Sequence, residues 1–387
     1  MRTFRCQKCG QPLFFENVKC LACDSQLAFL PDRMNLAAVE PVPGEEGLFQ
    51  PVSTKARKKP VRQYRLCHNH HTHGACNFAV RADDPNPLCV SCRLTRVLPD
   101  LSNPDNKVRW TRIENAKRRL FYTLVRLGLL SPTAGEEPER LVFEFLEDLP
   151  GEKVLTGHAD GLITINVAEA DDDERVARRV ALHEPYRTLL GHFRHEIGHY
   201  YWDVLIRDGG RVDEFRQVFG DESVDYSQSL QRHYESGGNP AGWQELFVTA
   251  YATSHPWEDW AETWAHYLHM VDLLETAAEY NTRITLPGEE DEDLEEVVNP
   301  FESSNPEFEE LVEQWVPITL LVNSLNRSLG QEDAYPFALS EGALRKLRYV
   351  HDVIQAARRH TQQTGTPAAA AAAMPNASPE SVEARAS

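Results

Sequence analysis

The chain has 387 residues, with 40 Lys and Arg against 59 Asp and Glu, a formal net charge of −19. So acidic a chain repels nucleic acid and anionic membranes, and neither is its default partner. No apolar run approaches the ~20 residues that span a bilayer, and the start, Met1 to Cys6, carries neither the apolar core nor the cleavage site of a secretory signal. The expected compartment is therefore the cytoplasm, where thiols stay reduced. At roughly 150 residues per domain, the length suits one large domain and something smaller.

All eight cysteines precede residue 93, so they belong to an N-terminal part, and the large remainder folds without them. Cys6, Cys9, Cys20 and Cys23 form C-x2-C-x10-C-x2-C, with Gly10 where the chain would turn tightly around a metal knuckle. Four thiolates at this spacing fit a tetrahedral structural zinc site, which has no open position for catalysis. Two disulfides are the alternative, and a reduced compartment disfavours them. Cys67, Cys76, Cys89 and Cys92 form a second, wider set. Between its first two members lies His68-Asn69-His70-His71-Thr72-His73, so a histidine is an alternative ligand, although a polar loop is the plainer reading. Spacing leaves open whether the two sets are separate or interleaved. So small a region buries too little apolar surface to stand alone, and metal binding supplies the deficit.

Residues 31–64 separate the two sets and read as a linker, with Pro31, Pro41, Pro43, Gly44, Gly47 and Pro51. Its basic end, Lys55, Arg57, Lys58, Lys59, Arg62 and Arg65, reads as solvated linker in preference to a nucleic-acid contact. Beyond Asn103-Pro104-Asp105, apolar residues at helical spacing predict a helix over Trp110–Leu130. Leu141–Leu146 and Gly161–Ala168 read as strands, the latter a candidate cleft edge that pairs with an extended peptide. A short helix is expected over Arg175–Leu182, and Pro185 suits the first turn of the next one. Further helices are expected over Glu258–Tyr280, Glu307–Leu329 and Gly342–Arg359. The acidic run Glu289–Glu296 reads as a solvated loop, and 361–387 as a disordered tail.

The segment Tyr186–Arg207 contains His195-Glu196-Ile197-Gly198-His199, an H-E-x-x-H pattern. On a helix, positions i and i+4 share one face, so His195 and His199 can grip one zinc ion. Glu196 is then placed to take a proton from a metal-bound water. A catalytic zinc needs a third protein ligand and an open position. Trp202 and Leu205 stand where one branch of such enzymes has Gly and a third His, which excludes that branch. In another branch a glutamate on a later helix completes the set, and Glu258-Asp259-Trp260-Ala261-Glu262 fits. Glu258 is assigned as ligand and Glu262 as the acid that hydrogen-bonds a ligand histidine. The exchanged assignment, Glu262 as ligand with His266 nearby, stays open.

With these motifs in place, the chain resembles bacterial zinc-binding metallopeptidases that carry an N-terminal zinc-ribbon region. The resemblance rests on both knuckles of the first cysteine set, Cys89-Val90-Ser91-Cys92-Arg93, Asp160–Asn166, Glu184–His199 and Trp257–Tyr267. It implies zinc and peptidase chemistry on a protein or peptide substrate: one catalytic ion and two structural ones. The expected fold class is α+β, a mainly helical zincin-like domain (104–360) with a small sheet, preceded by the zinc-ribbon region (1–100). Glu258-x2-Ala261-Glu262 is also similar to the zinc helix of lethal-factor-type gluzincins. There a tyrosine shortly before the glutamate helps stabilise the oxyanion, which makes Tyr251 the matching candidate. A second functional reading is a zinc-ribbon scaffold that recruits a protein or RNA and no longer cuts. The intact Glu196 argues against it, since a scaffold needs no general base.

Overall fold

The computed structural model describes residues 1–53, 61–133, 140–175, 188–284, 296–302, 306–335 and 337–367. The expectations for Arg175–Leu182 beyond its first residue, Pro185, most of the acidic run and the tail from 368 onward lie outside these residues, as do the basic residues Lys55 to Lys59.

The N-terminal part is built from small antiparallel sheets. β1 (Phe4–Arg5) pairs with β2 (Pro12–Leu13). A five-stranded sheet follows in the order β3 (Gln26–Leu30), β4 (Asn35–Pro41), β5 (Phe49–Pro51), β6 (Tyr64–Leu66), β7 (Ala79–Arg81). The stretch 31–64, expected as a linker, therefore carries two strands and the start of a third. Its run Leu36-Ala37-Ala38-Val39 is buried on both faces, and a strand covered on both faces shows no alternation to betray it. Of the prolines and glycines read as a connector, Pro43, Gly44 and Gly47 lie in the hairpin between β4 and β5, closed by Val42 N–H donating to Leu48 O at 2.9 Å. His68–His73, read as a loop, is a short helix, α1.

The remainder is mainly helical, as expected for the fold class. α2 spans Pro104–Arg126, capped by Asn103, whose side chain accepts from Asp105 N. A four-stranded mixed sheet then forms in the order β10 (Gly157–Ala159), β11 (Leu162–Asn166), β9 (Val142–Leu146), β8 (Thr95–Val97). β11 is paired on both sides, antiparallel to β10 and parallel to β9. Among the described residues the edge strand next to the helices is thus β10, and the cleft-edge role read onto Gly161–Ala168 is not available to that strand.

α3 (Leu189–Tyr201) starts where Thr188 Oγ1 accepts from Gly191 N at 2.9 Å. It runs straight into a π-helical turn, Trp202–Arg207, which buries Trp202 and Leu205. α4 (Val212–Phe219) and α5 (Tyr226–Glu235) follow, then the long α6 (Pro256–Glu279), α7 (Phe308–Ser328) and α8 (Glu341–Thr364). α6 buries Trp260, Trp264, Leu268 and Val271, the face that the periodicity marked.

One apolar core runs through both parts. Phe15 and Phe29 of the cysteine-rich part pack edge-on against Tyr122 of α2, with ring centroids 5.5 and 6.3 Å away. Phe29 also stacks on Phe78 at 4.6 Å. No helix among the described residues is long and apolar enough to cross a membrane.

Candidate metal centre

α3 and α6 lie against each other because Gly198 has no side chain. A Cβ there would stand 3.1 Å from Ala261 Cα and 3.2 Å from the Trp264 ring. Trp260 Nε1–H donates to Gly198 O at 2.9 Å and fixes the pairing. This contact sets the register that brings His195, His199 and Glu258 together.

Glu258 Oε2 lies 3.0 Å from His195 Nε2 and 3.5 Å from His199 Nε2. The two imidazole Nε2 atoms are 3.2 Å apart. Donors about 2.0–2.1 Å from a tetrahedral zinc ion are separated by roughly 3.4 Å, which this cluster matches. Glu258 is buried, and its Oε2 makes no hydrogen bond despite those short distances. It shares a small volume with the Nε2 atoms of the two rings. A buried carboxylate oxygen left so is costly, and a cation removes the cost. The donor set therefore fits a zinc ion with one position left open.

Glu262, the alternative ligand, is on the far side of His195. Its Oε1 lies 2.6 Å from His195 Nδ1, and its Oε2 accepts from Thr249 Oγ1 at 2.7 Å. A carboxylate there holds the proton on Nδ1 and frees Nε2. Burial pulls the His195 imidazole down, but Glu258 and Glu262 outweigh it and hold the ring well above its ordinary value. Burial works the other way on Glu258, and His199 and His195 hold its carboxyl well below its usual range. His266, named with the exchanged assignment, hydrogen-bonds Tyr335, and burial lowers it to about 4.

Glu196 is buried on α3 beside His195. Tyr251 faces His195 with ring centroids 6.1 Å apart. Burial and then Glu258 push its phenol well above the ordinary value, so it stays a hydrogen-bond donor. Three neighbours escaped the sequence reading as site residues. Tyr226 O–H donates to Glu258 Oε1 at 2.8 Å. The Trp257 ring packs on His199 at 3.8 Å, and His158 of β10 stacks on His199 at 6.1 Å. Trp257 adjoins Glu258 and falls within the quoted motif. Tyr226 and His158 follow no spacing pattern, and only the fold brings them in.

The cysteines form two separate sets. Cys6 and Cys23 have their Sγ atoms 3.6 Å apart, as do Cys9 and Cys20. In the second set Cys76 Sγ is 3.8 Å from Cys89 and 3.6 Å from Cys92. Zinc–sulfur bonds of ~2.3 Å give a tetrahedral edge of about 3.8 Å. Cys67 completes the second set and accepts from Cys89 N at 3.3 Å, so four cysteines suffice without a histidine. His70 instead has its Nδ1 2.8 Å from Cys76 O. Arg118 of α2 donates to Ala75 O at 2.9 Å. Burial pulls its guanidinium down, yet Cys76, Glu114, Cys92 and Cys89 beside it hold it above its ordinary value.

A family model described as "Putative zinc-binding metallo-peptidase" matches residues 106–353, and a zinc-ribbon domain model matches residues 3–103. The chain is similar to an uncharacterized protein of Mycobacterium bovis and to uncharacterized proteins from two strains of Mycobacterium tuberculosis. Each is 41% identical over 356 residues, covering 92% of this chain and 95% of the relative. No solved structure matches the chain.

Proposed function

The chain belongs to the zinc-binding metallo-peptidase family, and from that premise we propose that it hydrolyses peptide bonds as an H-E-x-x-H…E zinc enzyme. The observation that carries this reading is the convergence of His195 Nε2, His199 Nε2 and Glu258 Oε2, within 3.0 to 3.5 Å of one another.

A zinc ion held by these three side chains would lower the pKa of a bound water toward ~7 and polarise a peptide carbonyl. The chain's own groups supply the rest. Glu196 accepts the proton of the attacking water and passes it to the leaving amine. Tyr251, kept protonated by burial, donates to the carbonyl oxygen as negative charge gathers there. Glu262 orients His195 from behind, and Thr249 orients Glu262. The substrate is a protein or peptide in extended form, lying along the edge strand β10 and held by backbone hydrogen bonds. The two cysteine sets hold structural zinc, since four thiolates leave no open position.

The test is a purified Glu196→Gln protein. Both it and the wild type are expected to hold three zinc ions per chain, and only the wild type is expected to cleave casein. Equal degradation by both proteins would overturn Glu196 as the base. Two zincs per chain in the wild type would overturn the third site.

A further inference from the structure

Glu258 has two carboxylate oxygens with different surroundings. Oε2 faces the two histidines, and Oε1 accepts the Tyr226 hydroxyl at 2.8 Å. Tyr226 begins α5, 32 positions before Glu258 in the chain, and several contacts hold it in place. Asp225 caps α5 by accepting from Gln228 N at 2.8 Å. His255, the cap of α6, accepts from Trp257 N through Nδ1, so its Nε2–H donates to Val224 O at 3.1 Å. The start of α5 is thereby tied to the first turn of α6, where Glu258 stands. The Tyr226 ring packs edge-on against His255 and Trp257, with centroids 5.2 and 6.0 Å away.

A carboxylate bonds a metal ion through one oxygen or both. With both engaged, Glu258 would add a bond to the ion and crowd the position that the attacking water needs. We propose that Tyr226 is a positioning residue: its hydroxyl occupies Glu258 Oε1, restricts Glu258 to one-oxygen coordination and keeps the water position open. A phenol suits this task. It satisfies the oxygen without carrying charge, so Glu258 keeps its full negative charge for the metal. The inference rests on the metal-centre reading above.

The test uses the full chain and Tyr226→Phe, which keeps the ring and its packing. A mild chelator such as dipicolinate strips the open His/His/Glu centre, and cobalt(II) is loaded in its place. Two retained zincs per chain show that the ribbons, and so the fold, are intact. The wild type is expected to give the strong visible bands of four-coordinate cobalt. The variant is expected to give bands several-fold weaker, those of five-coordinate cobalt, and to hold the metal roughly 10- to 100-fold less tightly in chelator competition. Matching spectra overturn the role of Tyr226 and leave the peptidase reading standing. Failure of the wild type itself to take up cobalt at this centre overturns that reading, and the proposal falls with it.

Discussion

Glu262 Oε1 sits 2.6 Å from Nδ1 of His195, on the ring edge opposite the one turned toward Glu258. Two carboxylates of one helix, a turn apart, thus grasp one imidazole from both sides, and their roles separate by which nitrogen each meets. Glu262→Ala is expected to weaken zinc binding roughly 10- to 100-fold but to reach full occupancy at high zinc. Glu258→Ala removes a donor and is expected to lose the third zinc altogether. Chelator competition on both variants checks this. The reverse ranking would mean that the two carboxylates have exchanged roles.

Gly198 is expected to tolerate no side chain. The Cβ of Gly198→Ala meets Ala261 Cα at 3.1 Å, a backbone atom that gives way only if α3 and α6 part. Overpacking of this kind costs about 1–3 kcal/mol, and here it also spreads the metal ligands. Urea unfolding measures the first effect and zinc content the second. An unchanged midpoint would show that the helices have slack at this crossing.

Tyr251→Phe is expected to lower kcat about 100- to 1,000-fold with KM little changed, because its hydrogen bond matters only as charge develops. Steady-state kinetics on a peptide substrate separates the two parameters. A rise in KM alone would make Tyr251 a binding residue.

His351 predicts a pH dependence of stability. Burial, then Arg348 and Arg359, holds its imidazole at about 4, against 6.5 for the free side chain. Between these values the unfolded chain takes up a proton that the folded chain refuses. The stability is therefore intact above 6.5 and is lost as pH falls from 6.5 toward 4. At pH 5 the loss from this group is roughly 2 kcal/mol. His158, lowered to about 3 by burial and by His199 and Arg207, adds in the same direction. His351→Gln keeps a polar partner for Tyr267, which lies 3.0 Å from His351 Nδ1. The variant is expected to lose less stability than the wild type between pH 7 and pH 5, read as urea midpoints. Parallel losses would show that His351 is protonated in the fold.

The shared core predicts one unfolding event. All seven tryptophans lie at residue 110 or beyond, and all eight cysteines before residue 93. Tryptophan fluorescence therefore reports on the helical part, and zinc release from the thiolates on the ribbon part. The two signals are expected to share one urea midpoint, and Cys76→Ser to lower both together. Separate midpoints would show two independently stable units.

Much of the site was legible because metal ligation imposes short-range spacing. His195 and His199 are one helical turn apart, as are Glu258 and Glu262, and the cysteine knuckles are local too. The helix carrying Trp260, Trp264 and Leu268 announced itself by period. What escaped depended on long-range placement. Tyr226 meets Glu258 only because α5 is tied to the first turn of α6. The buried run of β4 carried no alternation and so gave no strand signal. β11 looked like an edge because nothing in its own residues tells that β10 covers it.

The wedging of Phe15 and Phe29 against Tyr122 has a mechanical consequence. The cysteine-rich end is bolted to the scaffold and does not swing on a tether. Its distance from the His195, His199 and Glu258 cluster is therefore set by side-chain packing, so a shift in the first cysteine set would be passed into α2 instead of being lost in a slack span.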